Sequence, residues 1–167
     1  MTITLQITIA THRGRVRERN EDTAGVAGWT MRAVEPLVLQ LTLDVQDVVE
    51  MVVADGLGGH AGGAEASQIA VEAFFAAEGV LTARIGTANE AVHAHGAAHS
   101  QLAGLATTLA GIQVRADGSL TVFHLGDSRV YRLVNGFLAK LTDDDKHADG
   151  GLTQVLGGAL NIRIEPH

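Results

Sequence analysis

The sequence predicts an α+β fold: a four-layer α-β-β-α sandwich of two antiparallel sheets flanked by helices. Three observations predict it. Extended segments come first, two Ala-rich helical segments follow, and hairpin-linked strands close the chain, unlike the strand-helix alternation of a parallel sheet. The opening strand alternates apolar and polar residues, so it buries one face only. Finally, 167 residues with 46% hydrophobic content suffice for one domain with a sizeable core and are too few for two. Two helices cover one sheet on one side, so the economical packing sets the sheets face to face with helices outside.

Ile3, Leu5, Ile7 and Ile9 alternate with Thr and Gln and form the first strand. Residues 37–43 and 48–54 are the next extended runs, and the short acidic turn at 44–47 between them predicts a hairpin. Residues 64–77 lack Pro and Gly, and Ile69, Ala73, Phe74 and Ala76 give helical spacing. A second helix is predicted over 87–102, broken or ended near Gly96. Strands at 108–115, 120–125, 130–134 and 137–141 then follow as an antiparallel meander, with turns at Asp117-Gly118 and Asn135-Gly136 and a break at Gly126-Asp127. Residues 142–151, TDDDKHADGG, are polar, acidic and glycine-ended, which predicts an exposed loop.

Net charge is -7, and the basic residues are scattered apart from Arg13, Arg15, Arg17 and Arg19. No face is basic enough for nucleic acid. The absence of cysteine removes disulfides, thiolate catalysis and Cys-based zinc sites, and points to a reducing cytoplasm. No window approaches the length of a membrane span, and MTITLQITIAT lacks the charged start and apolar block of a signal peptide. The expectation is a soluble, unsecreted, cytoplasmic protein with no membrane or nucleic-acid partner. Ten arginines against two lysines, with abundant Ala and Gly, match a GC-rich bacterial gene.

Four stretches can carry chemistry: RVRERNED (15–22), VVADGLGGHAGG (52–63), TTLAG (107–111) and HLGDSRVYR (124–132). Asp55 follows a β-branched strand, so a rigid element anchors its carboxylate, and Gly56 lets the backbone approach a ligand and turn its carbonyl to it. Asp127 is placed similarly, at a strand-Gly-Asp-Ser turn. Carboxylates projecting from strand ends supply the oxygen donors that Mg²⁺ and Mn²⁺ require. Each stretch also has a plainer reading: Asp-Gly as a turn, GDSR as a hairpin with a capping serine, and the arginines as a solvated edge. His93, His95 and His99 place only the last two on one helical face and are expected at the surface; Phe74 and Phe75 are expected in the core.

In order along the chain, these motifs resemble the metal-dependent protein phosphatases, the PPM or protein phosphatase 2C family, in its bacterial serine/threonine form. RGRVRERNED is similar to the family's Gly-x-x-Arg-x-x-Asn-x-Asp opening, ADGLGGHAGGAEAS to its Asp-Gly-Met-Gly-Gly-His segment, and HLGDSRVYRLVNGFLAKLTDDD to its Gly-Asp-Ser-Arg segment with the following Leu-Thr. The resemblance implies a phosphoserine/phosphothreonine protein phosphatase that uses two, or with a further site three, Mn²⁺ or Mg²⁺ ions and forms no covalent intermediate. Asp55 would bridge two ions, the Gly56 carbonyl would bind one, and Glu21 and Asp22 would act through bound waters. A water between the cations would attack phosphorus in line. Arg17 would hold the phosphate, Asp127 would serve the labile third ion, and His60 would be the general acid. The partners so implied are phosphorylated proteins, with a serine/threonine kinase as the opposing enzyme.

The resemblance also implies two further metal aspartates, in Ser-Asp-Gly and Asp-Asn motifs beyond LGGALNIRIEPH (156–167), and a longer flap than residues 142–151 provide. The expectation is therefore a partial phosphatase domain over 1–167. Two other classes compete with an active enzyme: a degenerate phosphatase domain that binds a phosphoprotein or another partner without turnover, and an acidic sandwich that binds a cation for structure alone.

Overall fold

The structure, a computed structural model, describes residues 2–57, 61–102 and 104–164, with Ala61 through its backbone alone. The elements run β1 (Ile3–Thr11), β2 (Asp22–Val26), β3 (Trp29–Met31), β4 (Leu37–Val45), β5 (Val48–Leu57), α1 (Ala61–Ala76), α2 (Leu81–Ala98), β6 (Ala106–Thr107), β7 (Leu109–Arg115), β8 (Leu120–Leu125), β9 (Tyr131–Val134) and β10 (Phe137–Lys140). The main sheet has the order β3-β2-β5-β7-β8, with the short β6 pairing the end of β5. Two antiparallel ribbons, β1-β4 and β9-β10, stand apart from it. The α+β class and antiparallel pairing agree with the sequence reading.

The period-two pattern of β5 builds both cores. Val52 and Ala54 point to the helices, where they join Ala66, Ala70, Val71 and Phe74 of α1 and Ile85, Ala88 and Val92 of α2. Val49 and Met51 point the opposite way, into a second cluster with Ile7, Leu5 and Ile9 of β1, Leu41, Leu43 and Val45 of β4, and Val26 and Val114. The layers of the described residues are thus helices, main sheet and β1-β4 ribbon, and both predicted helices lie on the outer face of the main sheet. Phe74 is fully buried and stacks on Phe123 of β8 at 5.7 Å, as its core assignment required.

One ion pair is built into the helix side. Arg84 of α2 donates through Nη1 to Glu50 Oε1 at 2.7 Å and through Nε and Nη2 to the Phe74 carbonyl at 3.2 and 3.1 Å. That carbonyl lies in the last turn of α1, where backbone acceptors lack helical partners. The guanidinium also lies 4.4 Å from the Phe74 ring centroid, and Gln113 Nε2 donates to Glu50 at 2.5 Å.

Three pairings differ from expectation. Residues 37–45 and 48–57 form no hairpin: β4 pairs β1, whereas β5 pairs β2 and β7. Strand β5 packs against the helices on one face and the β1-β4 ribbon on the other, so β4 lies in the layer across from it and the acidic turn carries the chain from one sheet to the other. Likewise, the predicted meander divides at Gly126, where β7-β8 stay in the main sheet and β9-β10 leave it. Strands β2 and β3 were not anticipated, because DTAGV and WTM are short and carry no clear alternation. Helix α2 starts at Leu81 and runs through Gly96, where a side chain would meet Leu105 Cδ2 at 2.7 Å.

Candidate active site

The acidic residues meet at one end of the sandwich because of strand register. Asp22 opens β2, Asp55 lies near the end of β5, and the antiparallel register sets them directly opposite each other. The two carboxyls are within hydrogen-bonding reach. Partial burial, then the neighbouring Asp55 carboxylate, push Asp22 up to about 6. Asp55 is raised as well, by burial first and the charge of Asp127 second, and Arg17 partly counters this. Among the described residues neither Asp22 nor Asp55 makes an ion pair.

The backbone around Asp55 is fastened by residues to which the sequence reading gave no role. The Thr108 N–H and the Thr107 hydroxyl both donate to the Asp55 carbonyl at 2.9 Å, and the Asp55 N–H donates to Thr108 Oγ1 at 3.0 Å. Thr108 Oγ1 lies 2.6 Å from Ser128 Oγ, which ties the strand end to the Gly126-Asp127-Ser128 turn. These threonines belong to TTLAG, so a polar pair at the mouth of an apolar strand was the available signal. Asn20 acts similarly on the first loop: it donates to Thr11 Oγ1 and to the Ala33 carbonyl, and accepts from the Asp22 N–H.

Helix α1 closes the site from the other side. A side chain at Gly56 would stand 1.9 Å from the Gly63 carbonyl oxygen, so only glycine admits the first turn of α1 against the end of β5. Gly63 in turn lies against Glu21, where an added Cβ would stand 3.0 Å from the carboxyl carbon. Ser67 of α1 donates to the Glu21 carbonyl at 2.6 Å and pairs with Thr23 at 2.9 Å. Glu21, Asp22, Asp55, Arg17, Arg13 and Arg19 line one cleft of about 160 Å³. Arg17, Arg19 and Glu21 also line an adjoining cleft of about 240 Å³. Of the predicted residues, Arg17, Glu21, Asp22, Asp55 and Gly56 therefore come together, Asp127 is near enough for its charge to act on Asp55, and His60 lies outside the described residues.

The donor chemistry suits a hard cation: two facing carboxylates with no ion pair among the described residues, a third carboxylate near them, and a glycine backbone at the strand end. No group of three or more His, Asp or Glu side chains among the described residues is already drawn together at metal-ligand geometry. The other histidines are engaged locally: His95 with Glu65, His93 with the Gly157 carbonyl and His99 with the His95 carbonyl. No helix among the described residues is long and apolar enough to cross a membrane.

Residues 39–156 match the family model described as protein phosphatase 2C. The chain belongs to the protein phosphatase 2C family. Among curated relatives, it is 32% identical over 147 residues to the serine/threonine phosphatase stp of Listeria welshimeri, covering 80% of this chain and 52% of the relative. It is 33% identical over 154 residues to the serine/threonine protein phosphatase PstP of Mycobacterium tuberculosis, covering 87% of this chain and 26% of the relative. This protein phosphatase 2C chain thus spans about half the length of the first and about a quarter of the second. The solved catalytic domain of PstP in complex with two manganese ions superposes with a TM-score of 0.69 at 26% identity, covering 100% of this chain and 72% of that one. The serine/threonine phosphatase of S. agalactiae shares the fold, with a TM-score of 0.75 at 20% identity over 99% of this chain and 74% of that one.

Proposed function

We propose that this chain carries the phosphate-binding and metal-binding side of a phosphoserine/phosphothreonine protein phosphatase site. The observation that carries the proposal is the register that sets Asp22 opposite Asp55, with Arg17 in the same cleft. Its family membership and the two manganese ions of the PstP domain support the metal reading. Asp55 and the Gly56 carbonyl would hold Mn²⁺ or Mg²⁺, with Asp22 and Glu21 accepting hydrogen bonds from its water shell. When bound, such ions acidify water and withdraw charge from a phosphoryl group.

The chain's own residues do the rest. Arg17 lines the same cleft as the acidic pair and would offer a planar fork to phosphate oxygens, offsetting the charge of the entering anion. Thr107 and Thr108 keep the Asp55 backbone still, and Asn20 fixes the loop that carries Arg17 relative to Asp22. His60 is proposed to give the leaving alkoxide its proton. The substrates would be phosphorylated proteins and the opposing enzyme a serine/threonine kinase.

The test is hydrolysis of p-nitrophenyl phosphate by the chain with and without Mn²⁺. The expected result is turnover stimulated by Mn²⁺ and lost in Asp55→Asn. Arg13, Arg17 and Arg19 around the acidic pair also suit a second reading, a domain that binds phosphoproteins without turnover. Phosphopeptide binding that Arg17→Ala weakens, with no hydrolysis under any metal, supports that reading over the enzyme.

A further inference from the structure

Residues 142–154 are cinched onto the Gly126-Asp127-Ser128-Arg129 turn. Arg129 donates to both carboxylate oxygens of Asp144, at 2.7 and 2.5 Å. Asp145 accepts from the Gly126 N–H at 3.0 Å and from Gln154 Nε2 at 3.2 Å, and its own N–H donates to the Gly126 carbonyl at 2.9 Å. The Thr142 hydroxyl accepts from the Val130 N–H at 3.2 Å, and His124 Nε2 meets the Asp143 carbonyl at 2.6 Å. Lys146 lies between these fastenings, with its N–H on the Asp144 carbonyl and its backbone bridged to Leu152. From that fixed point its ammonium reaches Asp127 and rests 2.7 Å from Oδ2.

We propose that Lys146 is a built-in cation at Asp127, so that this carboxylate takes a divalent ion only by displacing the ammonium. The inference rests on the metal reading of the Asp55 cleft. A lysine ammonium is a compact, mobile point charge on a flexible stem and substitutes for a cation beside one carboxylate. Unlike Asp22 and Asp55, which make no ion pair among the described residues, Asp127 has its charge compensated by a lysine at contact distance. The pair is part-exposed, at 38% for Lys146 and 30% for Asp127, so the contact is weak enough for a divalent ion to open. A carboxylate that is free for only part of the time binds with an apparent affinity lowered by that fraction. The Asp127 position therefore fills last and at higher concentration, because among the described residues the Asp22-Asp55 position has no ion pair to open.

The experiment is calorimetric titration of MnCl₂ into wild type, Lys146→Gln, Lys146→Arg and Lys146→Gln with Asp127→Asn. Lys146→Gln is expected to tighten the weaker binding phase by about fivefold, the scale of one part-exposed ion pair. Lys146→Arg should restore the wild-type curve, and Asp127→Asn should abolish the gain. A second readout needs no variant. Lys140 and Lys146 are the two lysines of the chain, so amine acetylation followed by mass spectrometry reports Lys146 against an internal standard. Saturating MnCl₂ should raise the Lys146-to-Lys140 ratio about threefold, the scale expected when one part-exposed ion pair opens. Superimposable wild-type and Lys146→Gln curves, or an unchanged ratio at saturation, overturn the inference while leaving the Asp55 site intact. Wild type that takes up no Mn²⁺ overturns both readings.

Discussion

At the residue scale, Asp22 and Asp55 are the most consequential pair. Asp22 keeps its proton up to about pH 6 in the folded chain, against an ordinary value of 3.8, because of partial burial and the charge of Asp55. Between those values the folded state binds more protons than the unfolded one, so stability falls as pH rises through the window. In EDTA, the melting temperature should decline from pH 4 to pH 6.5, and Asp22→Asn should flatten that part of the profile. Mn²⁺ should raise the melting temperature more above pH 6.5 than near pH 4, the outcome required if the ionised pair holds it as proposed. A profile unchanged by Asp22→Asn would place the extra proton on another group. Asp55, Gly56 and Asp127 were singled out in the sequence because a carboxylate at a strand exit, beside a glycine, has a rigid support and a backbone that can approach a ligand. Thr107, Thr108, Ser128 and Lys146 were given no role, because their partners lie on other elements and hydroxyl-to-backbone bonds leave no spacing in the chain.

At the element scale, the helical face of the main sheet depends on α1 and α2 being joined to β5 by more than apolar packing. Arg84, Glu50 and Gln113 form a buried polar knot across α2, β5 and β7, closed by the Phe74 carbonyl. Removing one charge leaves the other buried and unpaired, so Arg84→Ala should cost about 3–5 kcal/mol in urea unfolding. The double variant Arg84→Met with Glu50→Met replaces both charges by apolar groups and should recover most of that loss. A cost below about 1 kcal/mol for Arg84→Ala would mean that water reaches Glu50 freely. Element types were readable from composition and period, as in β1, α1 and β8. Partner choice was less so: β4 and β5 are neighbours in sequence and strangers in the sheets, because pairing follows which faces each strand must bury.

At the scale of the whole molecule, the two cores are unequal. The helix-side cluster includes Phe74, Phe123, Leu109, Leu125 and Leu156 at full burial. The cluster under the β1-β4 ribbon has five buried residues, and that ribbon bonds to no other strand of the described residues. A cleft of about 360 Å³ separates β1 from residues 129–131, and Val53 on its wall is 48% exposed. Amide exchange should therefore divide by layer, with β5 and β7 opening only in global unfolding and β1 and β4 by a cheaper local route. Equal protection of the two layers would show that the ribbon is held as firmly as the main sheet. The antiparallel-sheet design followed from the pattern; the inequality of the layers did not, since it depends on which strands lack neighbours.

Asp22 and Asp55 leave the ribosome well before Thr107 and Thr108, the residues that fasten the Asp55 backbone. Strand β5 waits over the same interval for β7, its second neighbour. A nascent chain thus carries its acidic residues without a rigid site until the later half is made, and long-range pairing of this kind forms late in folding. Ion uptake at the Asp22-Asp55 pair would then mark the end of assembly: a chain halted before residue 107 would hold the carboxylates and lack the grip that makes them a cradle.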